Sequence, residues 1–117
     1  MPYVDGFLLA VPKDRLDEYK ALAQKAGDVW MEHGALSYVE CIGDDVPYGE
    51  ITSFPRAVQA KDDEIVVFSW ITYESREKRD AINAKVMADP RLSGDMSSMP
   101  FDGKRMIFGG FRSLIEL

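Results

Sequence analysis

The stretch Trp30–Asp45, WMEHGALSYVECIGDD, contains the only histidine and the only cysteine of the chain together with four carboxylates. Residues of these types support metal coordination, nucleophilic attack or acid–base transfer, depending on whether the backbone lets them converge. A metal centre would draw on His33, Glu40, Cys41 and Asp44 or Asp45. Glu40 and Cys41 are consecutive, so on a strand they point to opposite faces and cannot share one ion; no metal site is expected. A nucleophilic thiol needs a cationic neighbour, and none is evident beside Cys41, which is expected to be a small buried hydrophobe. That leaves His33. It follows Val29 by four residues and Trp30 by three, on the apolar side of a helical pattern. Histidine is the side chain whose unperturbed pKa lies near neutrality, which suits a base, a proton shuttle or a haem ligand. The simpler reading is a helix-end histidine satisfying the last carbonyls.

His33 is therefore the candidate catalytic residue. Trp30, Tyr19 and Trp70 are candidates to line a pocket between helix and sheet, with Arg56 as a carboxylate anchor or a subunit contact. Ser69 and Trp70 are adjacent, so only one of them faces the helices. Gly103–Arg105, GKR, is no phosphate loop, because no helix follows it. No cofactor is expected, haem being the one that His33 would admit.

These candidates need elements to position them. Tyr3–Val11, YVDGFLLAV, is short and apolar on both faces, as in a buried strand. Pro12 ends it, and Asp14 with Asp17 resembles a helix start. Leu16, Tyr19, Leu22, Ala23, Ala26, Val29 and Trp30 then recur at three- and four-residue steps, the stripe of an amphipathic helix, and Gly34 stands where a C-cap needs positive φ. Leu36–Asp44 reads as the second strand. The segment at about 45–63 is long for a connection and is read as an arm or loop, in which EITSF extends the second strand. Glu64–Tyr73, EIVVFSWITY, is the clearest strand. Ser75 caps a second helix that Pro90 stops. A loop holding Gly94, Pro100 and Gly103 leads to a last strand, RMIFGGFRSLIEL, interrupted at Gly109–Gly110. Asp5 and Arg112 are expected to pair across the first and last strands, and Arg76 with Asp80 along the second helix.

The order β-α-β-β-α-β, with right-handed crossovers, gives a ferredoxin-like, four-stranded antiparallel sheet with both helices on one face. At 117 residues the chain is expected to be a single domain, 1–117, and its 46% hydrophobic content is that of a folded protein. A sheet with helices on one face should alternate apolar and polar, yet FLLAV and IVVFSWI do not. Nothing else in one chain is expected to cover the second face, so a second copy should, pairing the sheets into a dimeric α+β barrel. The net charge of −6 opposes binding to nucleic acid or an anionic membrane. The N-terminus lacks the pattern of a signal peptide, no run has the length of a membrane span, and a single cysteine fits a reducing compartment, so a cytoplasmic protein is expected.

The ordered blocks YVDGF, AVPKD, EHGAL, FPRAV, SWITYESREKRD, NAKVMADPR and MPFDGKRMIFGGF resemble the YbaA-like family of small bacterial proteins over nearly the whole chain. The resemblance implies the dimeric α+β-barrel superfamily, which spans small oxygenases, isomerases, haem enzymes and proteins with no known reaction. It carries over no catalytic residue. The functional expectation is a homodimer binding a small apolar or aromatic molecule in a helix–sheet pocket, with a cofactor-independent oxygenase-like or isomerase-like reaction. The alternative is a non-catalytic homodimeric structural or interaction module.

Overall fold

The structure, a computed structural model, describes residues 2–92 and 99–117; Gly94, expected in a loop, lies outside them. Strand β1 (Tyr3–Pro12) leads through a 3-10 turn (Lys13–Arg15) into helix α1 (Leu16–Glu32). Strand β2 (Ser37–Ile42), a single helical turn α2 (Phe54–Ala57) and strand β3 (Glu64–Tyr73) follow. Helix α3 (Arg76–Met87), a 3-10 turn (Pro90–Leu92) and strand β4 (Ile107–Arg112) complete the order. The sheet is antiparallel in the order β2-β3-β1-β4, which is the ferredoxin-like arrangement.

Helix α1 ends as its sequence requires. Gly34 adopts φ +114°, its N–H reaches the Met31 carbonyl and the Ala35 N–H the Trp30 carbonyl. Those two bonds are a Schellman closure, and Ala35 packs in the same core cluster as Trp30. The start differs from expectation. Asp14 falls in the 3-10 turn, Arg15 occupies the cap position, and no side chain caps the helix; Asp17 and Glu18 in the first turn favour its positive end. Ser75 caps α3 as expected, its Oγ accepting from the Lys78 N–H at 3.2 Å.

Strand alternation sorts the sheet into two faces. Leu9, Val11, Val67, Ile71 and Tyr73 are buried toward the helices. Leu8, Ala10 and Val66 are buried on the second face beneath Val58. The 45–63 segment thus forms no strand extension. Ser53 accepts the Arg56 N–H to cap α2, and the segment lays Val58 and Phe54 on the sheet. It covers only one end. Phe68 remains 45%, Ile107 46% and Phe111 62% exposed, and Cys41, expected to be buried, is exposed on edge strand β2. Gly109 and Gly110 lie inside β4 rather than interrupting it.

Two expected ion pairs are replaced. The β1–β4 register sets Gly110 opposite Asp5 and Arg112 opposite Tyr3, so Asp5 and Arg112 are out of step. The side chain of Arg79 descends from α3 into the space above Gly110 instead: its Nε lies 3.6 Å from Asp5 and 3.4 Å from Asp80, and its Nη2 donates to the Tyr3 hydroxyl at 3.0 Å. No helix among the described residues is long and apolar enough to cross a membrane.

Candidate functional site

A cavity of about 700 Å³ lies between α1, the helix-facing side of the sheet and α3. Its walls are largely apolar, with Phe7, Leu9, Ala26, Trp30, Val86 and Phe101 among them. The amphipathic stripe explains this lining: the same face of α1 that packs on the sheet at Val29 and Ala23 turns Ala26 and Trp30 toward the gap beside α3.

Glu18, Lys25, Ser69 and Arg91 also border the cavity, but the hydrogen-bonded polar cluster of its wall is centred on β2. Tyr38 and Glu40 are two apart and share the helix-facing side, opposite Ile71 and Ser69 of β3. The Tyr19 hydroxyl donates to Glu40 Oε1 at 2.6 Å and the Tyr38 hydroxyl to Oε2 at 2.8 Å. Each carboxylate oxygen is therefore met by a phenol, one from the helix and one from the strand itself. Burial, together with the Glu40 carboxylate, pushes both phenols far above their ordinary range, so both keep the protons that they donate to Glu40. Gly27 makes this arrangement possible. A Cβ there would stand 2.8 Å from the Tyr38 ring, so only glycine lets that ring lie flat against α1.

Behind the cavity runs a buried polar chain. The Trp30 indole N–H is shared between the Tyr73 hydroxyl and Asn83 Oδ1, each at 3.1 Å, and the Tyr73 hydroxyl lies 3.3 Å from that amide oxygen. Tyr73 is wholly buried, and its phenol is raised by that burial and then by the nearby Asp5 carboxylate. Trp30 thus spends its polar edge inside the fold and borders the cavity with its hydrocarbon.

The sequence candidates separate. Tyr19 and Trp30 both line the cavity. Trp70 borders it too, yet by alternation its ring lies on the second face, 5.5 Å from Phe68, while Ser69 faces the helices. Arg56 is in the arm; its guanidinium donates to the Tyr48 and Gly49 carbonyls and stacks on the Tyr48 ring at 3.8 Å. His33 follows the last turn of α1 and is not among the cavity-lining residues. Its Nε2 is 3.0 Å from Asp89, beyond the end of α3. Arg91 joins the same carboxylate and also Glu32, tying the ends of both helices together. Hydrogen bonds from Arg91, then from His33, hold the Asp89 carboxyl well below the usual carboxylate range. Among the described residues no three His, Cys, Asp or Glu side chains converge as a metal site. Sequence reasoning missed Glu40 and Tyr38 as cavity residues. The available signal was their two-residue spacing on a strand packed against Tyr19.

Fold and site together define a ferredoxin-like α+β protein with a helix–sheet cavity floored by a tyrosine-bound carboxylate. The chain belongs to the DUF1428 family, described as a protein of unknown function, whose profile matches residues 2–103. It is 56% identical over 116 residues to the uncharacterised protein YbaA of Escherichia coli strain K12, spanning 99% of each chain, and equally similar to YbaA of Shigella flexneri. In shape it is similar, at 14% identity, to Rv0793 of Mycobacterium tuberculosis, with TM-score 0.60 over 99% of this chain and 98% of that one. It is also similar, again at 14% identity, to a dimeric ferredoxin-like protein from an uncultured marine organism, with TM-score 0.61 over 100% of both chains. At such identity the likeness carries the fold alone.

Proposed function

We propose that the protein is a cytosolic homodimer that binds a small apolar or aromatic molecule in the helix–sheet cavity of each protomer. The observation that carries this reading is the cavity itself, about 700 Å³ with largely apolar walls. Its size is that of ligand sites rather than of packing voids, and apolar walls with a few fixed polar groups are the usual character of such sites. Pairing is supported by the exposed aromatics of the second face and by the dimeric protein of the same fold. Turnover of a bound molecule, oxygenase-like or isomerase-like, would here draw on Glu40 for acid–base work, since His33 is engaged by Asp89 away from the cavity wall.

Native mass spectrometry of the protein purified from its own cells, beside an Ala26→Phe variant that fills the cavity, tests the reading. A dimer carrying a small molecule that the variant lacks is the expected result. Empty dimers, with no uptake of an added naphthalene probe by either protein, would overturn it and favour the interaction module. That second reading draws on the exposed Leu114 and Ile115 near the C-terminus.

A further inference from the structure

We infer that Glu40 is the recognition group of the cavity and that it selects apolar ligands bearing a protonated amine. This rests on the binding reading above and names the ligand class for the same site.

Tyr19 and Tyr38 hold their protons and aim them at Glu40, one at each oxygen. Their donor capacity is spent. A carboxylate oxygen accepts more than one hydrogen bond, so Glu40 retains acceptor capacity on both oxygens with its plane fixed by the two phenols. The wall therefore offers a ligand an oriented, negatively charged acceptor.

A second observation places that acceptor within reach. A groove of about 510 Å³ runs along the α1–β2 edge, and Tyr19, Ala23, Tyr38 and Glu40 border both it and the cavity. The tyrosine-bound carboxylate is thus a partition between the two spaces, approachable from either. The partner that gains most at such a wall is a cation with N–H donors. Charge-assisted hydrogen bonds are about twice as strong as neutral ones, and apolar surroundings strengthen them further. Lys25 and Arg91 border the cavity and Lys20 the groove, but none of them pairs with Glu40: Arg91 is bound to Asp89 and Glu32, and the hydrogen-bond partners of Glu40 are the two phenols. The net charge of −6 draws cations and disfavours anions on approach.

Calorimetric titration of the full chain with three probes of one body tests the inference: naphthylmethylamine, naphthylmethanol and naphthoate. The amine is expected to bind roughly tenfold more tightly than the alcohol, with naphthoate weakest. Glu40→Gln should erase the advantage of the amine and leave the alcohol unchanged. Naphthoate binding as well as the amine, or an amine affinity untouched by Glu40→Gln, overturns the inference. An alcohol that binds and is blocked by Ala26→Phe, with no gain for the amine, leaves the cavity reading standing and removes this one. Binding of none of the three removes both. The ranking on the unaltered protein decides the matter by itself if Glu40→Gln fails to fold.

Discussion

A carboxylate turned toward an apolar interior is costly unless donors meet its oxygens, and Glu40 meets that condition through Tyr19 and Tyr38. The position of Tyr38 depends in turn on the missing side chain of Gly27. Gly27→Ala should push the ring away from α1 and loosen its bond to Glu40, destabilising the protein by about 1–3 kcal/mol. In a Tyr38→Ala background the same change should be neutral or stabilising, because alanine is favoured over glycine in a helix by about 1 kcal/mol. Denaturant melts of the four proteins check this; an equal cost in both backgrounds would mean that the ring is not what Gly27 accommodates. At this scale the sequence was partly legible. Helical spacing marked Tyr19 and Trp30 as inward-facing, and both border the cavity. It could not say which of Ser69 and Trp70 faced the helices, since a strand apolar on both faces hides its own orientation. For the same reason Val39 and Cys41 looked as suited to the interior as Tyr38 and Glu40. His33 continued the apolar stripe, but its partner Asp89 comes from a distant helix end that spacing does not reveal.

Elements were more legible than side chains, because periodicity and caps act locally. The first three strands and both long helices lie where their patterns put them, β4 is shorter than its apolar run and runs through Gly109–Gly110 without a break, and Gly34 closes α1 with the positive φ that its place demanded. Connections were harder to foresee. The approach to β4 is held by Arg105, from the GKR stretch, whose two terminal nitrogens meet the two oxygens of Glu64 at 2.8 and 2.7 Å while its Nε meets Asp102. Such a long-range clamp leaves no local signature. It predicts an acid limb of stability. Arg105, opposed only in part by burial, holds Glu64 below its ordinary value of 4.5. A depressed carboxyl stabilises the fold above its unfolded pKa and loses that contribution as pH falls through its lower folded pKa. Glu64→Gln should therefore cost about 2 kcal/mol near neutrality, since it removes a charge-assisted pair whose carboxylate is 4% exposed. The gap between the two melting temperatures should narrow as pH drops below about 4. A gap that stays constant down to strong acid would show that the charge of Glu64 contributes nothing to the clamp.

For the whole molecule, the question is what covers the second face. The arm brings Val58 and Phe54 onto one end of it, more than the sequence suggested, because a single capped turn after a long loop has no periodic pattern to detect. The remainder, from Phe68 and Trp70 across to Ile107 and Phe111, is an aromatic and aliphatic surface of a kind that isolated monomers rarely leave bare. Two adjacent residues separate folding from pairing. Val67 is 2% exposed and packs with Leu9, Val11 and Tyr19 toward α1, so Val67→Lys buries an unpaired charge and should cost several kcal/mol, unfolding the protomer. Phe68 is half-exposed on the second face, so Phe68→Lys should leave the protomer folded and abolish its association. Sedimentation velocity and circular dichroism, run together on both variants at low micromolar concentration, give the two readouts. The proposal expects native circular dichroism with a monomer's sedimentation for Phe68→Lys, and lost helicity for Val67→Lys. A Phe68→Lys protein that sediments as the unaltered one does would move the subunit contact away from the sheet. A folded monomer for the unaltered chain would remove the homodimer altogether.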